Sequence, residues 1–167
     1  MNILDSIKKS VISTLVWLQG KIIENHLAAN QQASGRTVRS LMIEETDNGA
    51  MLKGRKYFAT LETGRKEGKV PQNFNEVIQQ WILDKGISFD PIPYKRQPSE
   101  KWQPKYTAQQ RGLMSMAGAI AHKIATEGTS LYRQGGQKDI FTEPTQEAIN
   151  RIRTQLTGIF KTEIQRL

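Results

Sequence analysis

Four prolines, Pro91, Pro93, Pro98 and Pro104, fall within one stretch from Ile87 to Lys105. They constrain this chain more than any other feature, because proline fixes φ and lacks the N–H that a helix or a central strand needs. No regular element runs through the stretch, so it forms an extended proline-rich arm, residues 87–105, and the regular structure has to come from the segments on either side. A loop of this length usually has a task. Phe89, Tyr94 and Trp102 alternate in it with Lys95, Arg96, Lys101 and Lys105. Aromatic faces that stack bases beside cations that neutralise phosphates would suit single-stranded nucleic acid. The other reading is an arm laid on a neighbouring subunit or on its own domain.

Upstream of the arm, Leu4, Ile7, Val11, Leu15, Leu18 and Ile22 recur at spacings of three and four, which predicts an amphipathic helix from about Ile3 to about Ala29. Its ordinary use is to cover a sheet. Gly20 weakens its middle by about 1 kcal/mol relative to Ala and marks a bend or a close helix contact. After a turn at Ser34 and Gly35 the period changes to that of strands. Leu41 and Ile43 share one face, Asp47-Asn48-Gly49 supplies a hairpin turn, and Met51 and Leu52 return in a second strand. Phe74, Val77, Ile78, Trp81 and Ile82 mark a short helix closed by Gly86. Beyond the arm a helix is expected from about Ala108 to Thr126. Leu113, Met116, Ala117, Ile120, Ala121 and Ile124 lie on one face, and Ala117, Ala121 and Ala125 are small enough to admit a close partner. Thr142 is placed to cap a last helix with Pro144 in its first turn, in which Ile149, Ile152, Leu156, Phe160 and Ile164 form the buried stripe. The expected fold is therefore α+β. A small antiparallel hairpin is covered by the long N-terminal helix and further helices, in one domain, 1–167, with the arm and a C-terminal helix, 143–167.

Several chemistries are excluded by residue type and spacing. The chain has no cysteine, so thiol catalysis, disulfides and cysteine-based zinc sites are out. His26 and His122 are far apart, and neither has a carboxylate or second histidine at ligand spacing. Glu44 and Glu45, as strand neighbours, point to opposite faces and cannot act as an acid/base pair. The stretch "LETGRKEGKVP", Leu61 to Pro71, resembles a phosphate cradle. Its spacing from Gly64 to Gly68 is one residue short of a P-loop, and Val70 follows Lys69 where a magnesium-binding hydroxyl is needed. It reads as a glycine-hinged surface turn. The apolar run Val11 to Leu18 follows Lys8 and Lys9, but Asp5, Lys21 and its shortness against the roughly 20 residues of a membrane span argue against a signal or anchor. No catalytic residue, metal or cofactor is expected, nor a membrane. A net charge of +8 permits nucleic acid or an acidic protein as neighbour, and 37% apolar residues is low for a self-sufficient globule, which favours a component of an assembly.

The order of the pieces carries a resemblance. "SGRTVRSL", a hairpin, "YFATLETGR", "VIQQWILDKGI", an alanine-rich helix before "EGT" and a segment with Phe141 resemble tailed-bacteriophage tail-completion, minor-tail and head–tail joining proteins, over Ala33 to Phe141. The matching positions are Gly35 and Arg36 before the first strand, Phe58 and Ala59, the Glu62-x-Gly64 turn, and Trp81 with Lys85 and Gly86. The arm and the long C-terminal helix depart from the pattern. The resemblance implies a non-enzymatic virion protein of the neck or tail, assembled from the host cytoplasm as a homo-oligomeric ring against other neck, connector or tail proteins, with DNA in the channel as a candidate contact. It implies that the Glu-x-Gly turn lays the Trp81 helix over the sheet. Arg36, Arg39, Arg65, Lys66, Lys69, Tyr94, Lys95, Arg96 and Trp102 become the expected subunit or partner interface, with Arg65, Lys66 and Lys69 projecting from the domain edge. The alternative is a basic protein that binds single-stranded or packaged DNA.

Overall fold

A computed structural model of the chain describes residues 3–47, 49–96, 98–99, 101 and 103–165. It is α+β, a two-stranded antiparallel sheet with helices. The elements are α1 (Ile3–Ala28), α2 (Arg36–Arg39), β1 (Met42–Thr46), β2 (Gly49–Lys53), α3 (Thr60–Thr63), α4 (Phe74–Lys85), α5 (Ala108–Glu127), α6 (Ser130–Arg133) and α7 (Thr142–Ile164). They divide into two compact units. One is the chain up to Thr63 together with the chain from Gly136 onward, and the other is Gly64–Gly135.

In the first unit α1 packs on both the hairpin and α7. Thr14, Leu18, Ile22 and His26 recur every four residues and form its buried row. Leu18, Ile22, Leu41 and Ala148 make the centre of the core, ringed by Leu52, Phe58 and Phe141 among others. The hairpin register pairs Thr46 with Gly49 and Ile43 with Leu52. The connecting loop is thus two residues long, Asp47 and Asn48, of which Asn48 lies outside the described residues. Gly49 belongs to the strand rather than to the turn. Glu44 pairs with Lys53 across the sheet, whereas Glu45 reaches Lys8 of α1 at 3.1 Å. The two carboxylates leave by opposite faces, as strand alternation requires. At Gly20 a Cβ would meet nothing within 4 Å. No neighbour comes close there, so the glycine does not mark the close helix contact that was one of its two expected roles.

Two expectations for α7 are corrected. Thr142 does not cap the helix; it lies within α7, and its hydroxyl donates to the Glu62 carboxylate. The expected stripe is buried only in part, because Ile152 and Leu156 are half-buried while Ile149, Phe160 and Ile164 are exposed. The reason lies in the seam that α1 and α7 use. Ala148 is in the core, Arg151 lays its guanidinium 3.7 Å from the Trp17 ring centroid, and Gln155 accepts from Ser10 Oγ at 2.5 Å and Thr14 Oγ1 at 3.1 Å. These polar and cation–aromatic contacts turn the helix so that its seam is the row 148, 151, 155, and Ile149, Phe160 and Ile164 fall on the flank.

The second unit is built on α4 against α5. Ile78 and Ile82 meet Ala117 and Ala121, whose small side chains let the helices approach closely. Gly86, at φ 64, ends α4, and Ile87 N–H returns to the Ile82 carbonyl at 3.0 Å. The expectation that the Trp81 helix covers the sheet is therefore corrected. An apolar helix face specifies burial but not its partner, and here the partner is α5. A reciprocal capping box between Thr107 and Gln110 starts α5. The arm's first half is strapped along the same helix. Ile92 N–H donates to Ala108 O, Arg111 Nη1 donates to the carbonyls of Ile92 at 2.9 Å and Pro93 at 2.8 Å, and the Arg111 guanidinium stacks 4.1 Å over Tyr94. The backbone comes so near that a Cβ on Gly112 would lie 2.1 Å from Asp90 O. Of the two places open to the arm as a protein contact, residues 87–94 take their own unit.

The Glu62–Arg65 turn and the candidate interface

The turn that resembles a phosphate cradle is a structural clasp. In the first unit, Leu61 O accepts from Gln31 Nε2 at 2.7 Å, and Glu62 O accepts from Gln137 N–H at 2.8 Å. The Glu62 side chain is only 4% exposed. Its Oε1 accepts from Phe141 N–H at 2.7 Å and Thr142 N–H at 2.8 Å, and its Oε2 from the Thr142 hydroxyl. The first N–H groups of a helix have no partner within it, and the helix dipole favours a negative charge there. The anion at the start of α7 is thus the chain's own carboxylate.

In the second unit the backbone of Gly64 sits at φ 67, and a Cβ on it would lie 2.5 Å from Tyr132 N and 2.6 Å from Thr129 Oγ1. Only glycine fits such a position. Arg65 N–H donates to Thr129 Oγ1 at 2.9 Å, and Thr129 N–H donates to Arg65 O at 2.9 Å. The same Thr129 hydroxyl accepts from Tyr132 N–H and caps α6. Gly68 N–H then reaches Ala125 O at 2.8 Å, fixing the loop to the end of α5.

Those bonds redefine the expected interface residues. Arg65 does not project: its guanidinium stacks 5.3 Å from the Phe74 centroid and donates to Lys69 O, and its Nε is buried without a hydrogen-bond partner among the described atoms. Lys66 and Lys69 are exposed beside it, Lys66 lying 3.8 Å from Glu67. Arg36 and Arg39, in the first unit, are exposed and brought together around one residue, through Arg36 Nε to Ser34 Oγ and Arg39 Nη2 to Ser34 O. Tyr94 is half-buried under Arg111, while Lys95 and Arg96 are exposed. Trp102 lies outside the described residues. Trp81 is partly exposed beside Ile120, Ile124 and Thr129 in a shallow depression of the second unit.

Sequence reading named Glu62 in its turn but not its buried role as a helix cap, and it missed Thr129 and Arg111. All three stand in or beside segments already singled out, but their partners are remote in sequence. The "EGT" that ends α5 did carry one legible signal, a threonine three residues before the Tyr132 N–H that it caps. Among the described residues no group of His, Asp and Glu is arranged to hold a metal, and no helix is long and apolar enough to cross a membrane. His26 is buried with Nδ1 3.3 Å from Gln31 Oε1, and His122 is exposed on α5. Comparison with known protein families, with curated proteins and with solved structures finds no match to this chain.

Proposed function

We infer that the chain is a non-enzymatic structural protein of a tailed-phage virion, a ring-forming component of the neck or tail that joins head and tail. One observation carries the reading. The positions that bear the resemblance, Glu62, Gly64 and Arg65 above all, serve to hold the fold, through a helix cap, a close backbone approach and a cation over an aromatic ring. A motif spent on architecture suits a family defined by how its members assemble. The exposed cations Lys66, Lys69, Arg36, Arg39, Lys95 and Arg96 then face acidic surfaces of neighbouring subunits, where charge mainly sets register and orientation.

The purified chain should sediment as a closed oligomer, and phage particles made without it should accumulate as separate heads and tails. The double variant Lys66→Glu/Lys69→Glu should stay folded, as both ammonium groups are exposed, and should impair assembly. A chain that is monomeric both alone and in purified particles removes the reading. The basic nucleic-acid-binding alternative rests on the second unit, where eleven Lys and Arg stand against six Asp and Glu. It requires affinity for DNA that falls steeply with salt and is lost in Lys95→Glu/Arg96→Glu.

A further inference from the structure

The sheet has only two strands among the described residues, so each of them is an edge. A two-residue loop closes on a hydrogen-bonded pair, and such pairs alternate with open ones along an antiparallel ladder. The ladder bonds therefore belong to Thr46 with Gly49, Glu44 with Met51 and Met42 with Lys53. The N–H and C=O groups of Ile43 and Glu45 on β1, and of Ala50 and Leu52 on β2, point outward from the pair. None of these groups has a hydrogen-bond partner among the described residues. One face of the sheet lies under α1, with Leu52 in the core and Glu45 held by Lys8. On the other face Met42 and Met51 are 62% and 43% exposed beside the exposed Glu44–Lys53 pair. An edge with free N–H and C=O groups is a template for another strand, and a hairpin alone is marginal in water. The two edges also differ in charge. β1 carries Glu44 and Glu45 and no base, whereas β2 carries Lys53 and no acid and is followed by Arg55 and Lys56.

We propose that β1 of one copy pairs along its open edge with β2 of the next, so that neighbouring hairpins join in one antiparallel sheet. Charge complementarity names the occupant as a second copy. Two β1 edges brought together would set Glu44 and Glu45 against their own kind, and two β2 edges would do the same with Lys53, which disfavours twofold pairing. The unlike edges match. With a stagger of two residues Leu52 exchanges backbone bonds with the neighbour's Glu45, and Lys53 stands opposite the neighbour's Glu44 on the outer face. Each Glu44 then has a lysine on both sides, its own and the next copy's. No like charges fall opposite one another in this register, and Glu45 keeps Lys8 of its own α1 on the covered face. Main-chain bonds supply the affinity and the side chains set the register. Because each copy offers β1 and receives at β2, the contact is head-to-tail, and repetition about an axis closes a ring whose sheet has no edge left. A stagger between strands is what closing a sheet demands. The pairing rests on the reading of the chain as a ring component and names the edges that build the ring.

Hydrogen exchange and sedimentation of the full chain over a concentration series test it. The amides of Ile43, Glu45, Ala50 and Leu52 should exchange about tenfold more slowly, or slower still, in the oligomer than in the dilute chain. Glu44→Lys and Lys53→Glu should each weaken association by about tenfold or more, with circular dichroism to show that the exposed pair was not needed for the fold. An equal mixture of the two variants should associate within about threefold of wild type, because the altered β1 of one then meets the altered β2 of the other. Glu45→Pro removes an outward N–H and leaves the ladder bonds in place, and should weaken association as much as either charge variant. Should it disturb the hairpin, the mixture decides the matter. An oligomer in which those amides exchange as fast as in the monomer overturns the edge pairing and leaves the ring reading standing. Weakened variants that the mixture does not rescue overturn the pairing of unlike edges. A chain monomeric under all conditions and in purified particles overturns both readings.

Discussion

Replacing Glu62 tests the turn most directly. In Glu62→Ala the N–H groups of half-buried Phe141 and of exposed Thr142, and the Thr142 hydroxyl, all lose their acceptor, the buried Glu62 carboxylate. Each unsatisfied buried group costs about 1–3 kcal/mol, and loss of a helix cap alone costs about 0.5–2 kcal/mol. Water entering the vacated space recovers part of this, so a total near 3 kcal/mol is expected, a large share of the stability of a domain. Glu62→Gln keeps an oxygen for both N–H groups, and the Thr142 hydroxyl can turn to accept from the new amide. It loses only the charge at the helix terminus, for about 1–2 kcal/mol. Urea unfolding followed by circular dichroism gives the two losses, and hydrogen exchange at Phe141 and Thr142 localises them. The ordering Ala well above Gln above wild type is the expected result. An Ala variant within 0.5 kcal/mol of wild type, or unchanged exchange at those two amides, would refute the clasp.

Three other measurements follow from the same geometry. Gly64→Ala should cost 3 kcal/mol or more, about 1–3 kcal/mol of backbone strain plus a clash with Tyr132 N, whereas Gly68→Ala at φ 127 has open space around it and should lose only the strain; urea midpoints compare the two. Arg111→Ala should release the strap over residues 92–94, so that trypsin cuts after Lys95 and Arg96 about tenfold faster than in wild type, timed by mass spectrometry. Gly20→Ala, exposed in the middle of α1 with nothing near its added methyl, should stabilise the chain by about 0.5–1 kcal/mol, seen as a rise in Tm.

Periodicity located the long elements well because it is a local property. The expected ends of α1, α4 and α5 fall within a residue or two of those observed, and Gly86 stops α4 as read. Asp47-Asn48-Gly49 likewise fixed the hairpin, though by one residue it misassigned where β2 begins. What could not be read was partnership. The apolar face of α4 said that it is buried, not that α5 covers it. In α7 the apolar residues spread over a wide arc, and the seam was chosen by Gln155, Arg151 and their partners more than 130 residues away. The four-residue helices α2, α3 and α6 are too short to show a period. In the turn, the spacing of Gly64 and Gly68 departs from a phosphate loop, and the structure puts Gly64 to use as a close backbone approach to Tyr132. The buried duty of Glu62 stayed hidden, because the amides it caps come 79 and 80 residues later.

The clasp has a kinetic side. Ser10 and Gln155 are 145 residues apart, and contacts of such separation fold slowly because a long loop must close before they form. Within the second unit, however, the chain's entry and exit meet, Gly64 lying against Tyr132 and Arg65 exchanging backbone bonds with Thr129. Once that unit has formed, its roughly 70 residues span their ends as a tight turn would, so the loop that closes α7 onto α1 is about halved and its entropy cost falls by about 0.6 kcal/mol on a logarithmic loop scale. The inserted segment, once formed, thus shortens the loop that its flanking sequence has to close. Substitutions that loosen Gly64 or Thr129 should slow the docking of α7, a helix that neither residue belongs to.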